Sequence, residues 1–146
     1  MYLIFALVLM VIAVRFSIND IKLRTIYNKE LLLVLPFFIF ISIWQANLYS
    51  GWLSAMIVFA GGLPFFLLGW MGAGDVKLLM LYALITKSLL LLLVLISFIG
   101  GILTLCYIGV YLLKKQWSLL RQRGIPYGVA ISIGGLILFI LQSLSS

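Results

Sequence analysis

The chain is a succession of long apolar runs broken by short polar connections. The runs cover residues 1–17, 30–47, 52–70, 75–87, 88–113 and 125–143. None alternates with period 2 and none carries a polar stripe at helical period, so neither half-buried strands nor surface helices are predicted. Continuous apolar stretches of this length are helices whose sides face lipid. Residues 75–113 are too long for a single crossing of a hydrocarbon core that about 20 residues span. We place the division at Thr86-Lys87-Ser88, with Gly100-Gly101 as the rival position. Pro36 and Pro64 fall inside apolar runs and are expected to kink their helices. The Leu-rich segment 89–95 is taken as lipid-facing bulk. The pattern predicts an all-α membrane protein of six transmembrane helices, a single domain over 1–146 with no internal repeat and no linker.

Charge orients this bundle. The first connection carries Arg15, Lys22, Arg24 and Lys29, and the fifth carries Lys114, Lys115, Arg121 and Arg123. The second, over 45–51, carries no charge. Cytoplasmic connections are enriched in Lys and Arg, so the first and fifth are expected inside and the second outside. Six spans satisfy that arrangement with both termini outside the cytoplasm. The first run has no basic segment before it and no small-residue cleavage site, so it is expected to be a retained helix and not a signal peptide. The third connection, 69–77, then also lies on the cytoplasmic side.

Composition narrows the chemistry. The chain is 66% hydrophobic and 9% charged, too few charges to cover a soluble surface. Its net charge of +7 follows from the basic connections, so nucleic acid is not an expected partner. There is no histidine, which removes Ser-His and Cys-His catalysis and His-ligated metals. The single cysteine, Cys106, cannot form an internal disulfide or a Cys-x-x-Cys metal site and is expected to be a buried, inert thiol. No metal or cofactor is expected.

Three acids remain: Asp20, Glu30 and Asp75. Ionisable groups next to a bilayer core are costly and usually have a partner or a function. Glu30 has a structural explanation in Asn28-Lys29-Glu30, where Asn28 can cap the second helix and Glu30 can meet the positive end of its dipole. Asp75 follows Gly72-Ala73-Gly74. Glycines at these positions permit positive φ and close approach of another chain, and the carboxylate would project from a helix start. Taken alone, this is a turn with a capping aspartate. Asp20, taken alone, is a charge in a solvated loop beside Lys22 and Arg24. Taken together, and on one membrane face, the two aspartates are the main acid–base apparatus left to the chain. Paired carboxyls that share a proton can activate water and protonate a leaving amine.

At these residues the sequence resembles the prepilin peptidases, the G-x-G-D membrane aspartic proteases also called type IV leader peptidases. The likeness rests on Asp20-x-Lys22-x-Arg24-x-Ile26-x-Asn28, on Gly72-Ala73-Gly74-Asp75-x-Lys77, and on Ile125-Pro126-Tyr127-Gly128-Val129-Ala130 opening the last helix. The resemblance implies that Asp20 and Asp75 are the catalytic pair. It implies that Gly72 and Gly74 shape the loop, and that Lys22, Arg24, Asn28 and Lys77 support the site by stabilising the carboxylates, holding substrate backbone or meeting a nearby acid. The implied partner is a prepilin or pseudopilin precursor, cut at the cytoplasmic face between a basic leader and an apolar helix, with pilus assembly machinery as a further possible partner. Larger members carry an inserted cytoplasmic domain linked to N-methylation. The first two runs here are joined by about a dozen residues, so the chain is similar to the short peptidases of tight-adherence (Flp-type) systems and methyltransferase activity is not expected. Two rival readings are a small proton- or cation-coupled transporter and a non-catalytic assembly subunit.

Overall fold

A computed structural model describes residues 1–23, 25–114 and 125–144. Among them there are six helices and no strand: α1 (Tyr2–Leu23), α2 (Asn28–Trp44), α3 (Leu48–Leu67), α4 (Ala73–Ile85), α5 (Leu89–Leu113) and α6 (Tyr127–Leu144). Each apolar run has become one helix. The largest departure is α1, which runs past the expected end at residue 17 to Leu23 and takes Asp20 out of the loop and into its last turn.

The break within 75–113 falls at Thr86-Lys87-Ser88, and Gly100 and Gly101 lie inside α5. Ser88 makes the restart. Its hydroxyl accepts the Leu91 N–H at 3.4 Å and satisfies one of the orphan donors of the new helix. Asn47 and Gln142 tie this turn down, through Asn47 Nδ2 to the Thr86 carbonyl at 2.8 Å and Gln142 Nε2 to the Thr86 hydroxyl at 3.2 Å. Uncharged groups therefore close this end of the bundle.

Two helices stop through the same local device. After α3, Gly69 takes φ +71, its N–H reaches the Phe66 carbonyl, and the Trp70 N–H reaches that of Phe65. That is a Schellman closure with glycine in the left-handed region. After α2, Ala46 adopts φ 53 in the equivalent position, at the steric cost that a Cβ brings there. Positive φ was expected at the glycines beside Asp75. It occurs upstream at Gly69, because the helix end, and not the next helix start, is where the chain must reverse.

Four helices, α1, α3, α5 and α6, are long and apolar enough to cross a membrane. The other two are shorter, α2 with 17 residues and α4 with 13. The short α4 is enclosed. It packs on α2, α3 and α6, while α6 also packs on α1 and α5. Leu78, Tyr82 and Ile85 of α4 meet Phe38 of α2 and Ile131 and Phe139 of α6 in the core. Close packing depends on bare backbone at two places. A Cβ on Gly135 would overlap the Tyr82 ring, and one on Gly51 would overlap the Leu84 carbonyl oxygen. The outer helices expose apolar residues along their length, such as Leu33 (79%), Leu90 (74%) and Leu113 (87%). An apolar exterior of this extent belongs in lipid, and the molecule is a membrane protein. Cys106, expected to be buried, lies exposed on the outer side of α5. An apolar run offers no cue to which of its faces turns inward.

Candidate active site

Asp20 and Asp75 lie at the same end of the bundle, at the end of α1 and the start of α4. Asp20 is 6% exposed. A group so apolar in its surroundings and so rarely buried without purpose marks the place to begin. Three contacts bring its helix end to the others. Ile26, in the α1–α2 connection, is buried and lies between two glycines. A Cβ on Gly74 would sit 2.8 Å from the Ile26 Cβ and 3.2 Å from its carbonyl oxygen. A Cβ on Gly128 would sit 3.0 Å from Ile26 Cδ1 and 2.8 Å from Asp20 Oδ2. Ile26 thus wedges the first connection against the starts of α4 and α6, and both glycines are required for that approach. The role of Gly74 is close approach and not special φ.

Asp75 occupies the first turn of α4, outside the four helices long enough to cross the membrane. Its Oδ2 accepts the Gly72 N–H at 3.3 Å, the carboxylate half of a capping box. Burial pushes the Asp75 carboxyl from 3.8 up to about 6, the negative charge of Asp20 adds in the same direction, and the Gly72 N–H pulls the other way. The charge of Asp20 is thus felt at the Asp75 carboxyl. A pair with one proton to share offers both a base and an acid near neutral pH.

The supporting residues fare differently. Gly72 and Gly74 belong to the geometry just given. Asn28 and Lys77 bond each other, Lys77 Nζ donating to Asn28 Oδ1 at 2.9 Å, which fastens α2 to α4 two residues after Asp75. Asn28 does not cap α2; the N-cap residue is Tyr27, and no side chain caps it. Lys22 is exposed in the last turn of α1. Arg24 lies outside the described residues, as do Lys115, Arg121 and Arg123.

Glu30 lies in the first turn of α2, as its reading as a helix-dipole residue requires, and its carboxylate also bonds α1. Arg15 Nη2 donates to Oε1 at 2.9 Å and Asn19 Nδ2 donates to Oε2 at 2.8 Å. Glu30 therefore joins the start of α2 to the α1 turn that presents Asp20. The cue was present in the sequence: Arg15 and Asn19 stand one helical turn apart in an otherwise apolar helix and so share a face.

The described residues thus form an all-helical membrane protein with two carboxyls at one end of its bundle. The chain matches the model of the type IV leader peptidase family over residues 4–108, and it belongs to that family. The matched segment holds Asp20, Glu30, Gly72, Gly74 and Asp75, and the Ile125–Ala130 stretch lies beyond it. Comparison with the curated proteins and with the solved structures gives no match.

Proposed function

We propose that the chain is a membrane aspartic endopeptidase that removes the leader from type IV, Flp-like prepilins at the cytoplasmic face of the cell membrane, with Asp20 and Asp75 as its catalytic pair. The observation that carries this reading is the gathering of Asp20 and Asp75 at one end of the bundle, where Ile26 seats between Gly74 and Gly128 and Gly128 lies against Asp20. Family membership supplies the reaction class.

The chemistry needs one ionised and one protonated carboxyl. The ionised member takes a proton from a water as that water attacks the scissile carbonyl carbon. The protonated member hydrogen-bonds the carbonyl oxygen and stabilises the charge that develops there. Collapse of the tetrahedral intermediate breaks the C–N bond, and the proton taken from water passes to the departing amine. All of this is done by the chain's own carboxyls.

Several features fit the finer reading. The basic residues of the first connection stand at the helix ends that carry the aspartates, as a cytoplasmic site would require. The connection from Leu23 to Asn28 is short, which supports a peptidase without an inserted methyltransferase domain. The pair lies at the end of the bundle and not midway along it, which favours a protease over an ion relay.

The test uses the purified protein in detergent and a peptide with a basic leader, a Gly–hydrophobic junction and an apolar helix. Cleavage at the junction is expected, and Asp20→Asn or Asp75→Asn alone is expected to lower kcat by on the order of 10³-fold. Cleavage that survives both single changes would overturn the assignment.

A further inference from the structure

The outer helices α3 and α5 are splayed apart. α3 packs on α4 and α5 packs on α6, and between them lies an apolar groove of about 870 Å³. Its α5 wall extends from Leu89 to Leu105, about 24 Å at 1.5 Å per residue, most of the depth of a hydrocarbon core of about 30 Å.

Two properties distinguish this groove from a crevice that lipid tails would fill. The first is where it ends. Tyr127 lines it, and the next residue, Gly128, touches Asp20. Met71 lines it, and the next residue, Gly72, donates to Asp75. One end of the groove therefore lies beside the residues that contact the two carboxyls. The second is the surface of its walls. Gly61 on α3 and Gly101 on α5 present bare backbone, with nothing within 4 Å of where a Cβ would lie. Thr104 turns its hydroxyl back onto the Gly100 carbonyl at 2.7 Å, which leaves its methyl as the group available to the wall. Small residues on facing walls admit the close backbone approach by which helices associate in lipid. An acyl chain has no use for bare backbone.

We propose that this groove binds the apolar helix of the substrate, which docks sideways from the bilayer between α3 and α5 and presents its cytoplasmic end to Asp20 and Asp75. This rests on the peptidase reading above. It assigns substrate recognition to the depth of the membrane, so that most of the binding free energy comes from the helix and little from the leader.

Two measurements test the proposal and separate it from the activity. In full-length protein carrying Cys106→Ser and Asp75→Asn, single cysteines are placed at Gly61, at Gly101 and at Phe98, an exposed α5 residue outside the groove. Each is cross-linked to a peptide of basic leader, Gly–hydrophobic junction and an apolar helix of about 20 residues with a mid-helix cysteine. Strong cross-linking at Gly61 and Gly101 with little at Phe98 is expected. Equal yields at all three, or none at the glycines, overturns the groove. The second measurement compares kcat/KM for this peptide with that for one truncated five residues after the junction. Gly101→Leu has open space for its side chain and fills the groove, so the long-to-short ratio is expected to fall at least tenfold. An unchanged ratio in a folded variant overturns the proposal. If the unmodified protein cuts neither peptide, the peptidase reading fails, while the cross-linking still decides whether the groove takes a helix.

Discussion

Asp75 is held where its charged form is disfavoured, and two expectations follow from its raised pKa. The proposed mechanism needs one proton on the pair, so kcat/KM should fall as pH rises through about 6, where Asp75 loses its proton. A rate that climbs steadily above pH 8 would point to another base. Stability moves with the same group. Its folded pKa of about 6 exceeds the ordinary value of 3.8, so the native state favours the protonated form. The advantage is full below 3.8 and is lost as pH rises through 6. Asp75→Asn should therefore raise Tm relative to the unmodified protein at pH 8 and leave it unchanged near pH 3.5, as thermal unfolding in detergent can measure. Glu30 bonds Asn19, the neighbour of Asp20 in the last turns of α1, and is expected to position that turn. Glu30→Leu removes both bonds and should lower kcat about tenfold, equivalent to about 1.4 kcal/mol, with KM little changed. Glu30→Gln, which keeps an acceptor for Asn19, should recover much of the loss. Equal damage by both would make the ion pair with Arg15, and not the bond to Asn19, the working contact.

Helices in lipid gain no hydrophobic free energy from one another and associate through close packing. That places the weight of this fold on its glycines. Gly74→Ala drives a methyl into the Ile26 Cβ and carbonyl, atoms that no rotamer change can move. It should cost about 1–3 kcal/mol and separate α4 from the first connection. Gly128→Ala meets Asp20 Oδ2 as well as the flexible end of Ile26, so its effect should fall more on kcat than on stability. Gly109→Ala, with nothing within 4 Å and no part in the site, should be neutral or stabilising by up to about 1 kcal/mol through helix propensity. Thermal unfolding and kinetics on the three variants give the order.

The whole molecule is an inner pair, α4 and α6, wrapped by outer helices with apolar exteriors. The short α4 need not match the bilayer, because protein and not lipid surrounds most of it. If the six runs cross alternately with the basic connections inside, as charge predicts, a C-terminal reporter active only outside the cytoplasm should report activity, and one active only inside should stay silent. The reverse result would put the carboxyl pair on the outer face and remove the leader-peptide substrate.

Six apolar runs, the break at Thr86-Lys87-Ser88 and the singling out of Asp20 and Asp75 were legible in the sequence. Lipid imposes a length and a polarity on every crossing segment, and a chain with three acids and no histidine leaves few ways to move a proton. Other features depended on the tertiary structure. Glu30 stands in the first turn of α2 as expected and also bonds Arg15 and Asn19, Asn28 bonds Lys77 instead of capping, and Cys106 faces outward. An apolar run has no periodic stripe to show which side turns inward, and a polar side chain near several helix ends takes the partner that packing brings closest. The pairing of Asp20 with Asp75 shows both contributions. Charge and run count implied one membrane face, and the seating of Ile26 between Gly74 and Gly128 decided that the two carboxyls sense each other. That contact joins three segments distant in the chain, and only the folded bundle brings them together.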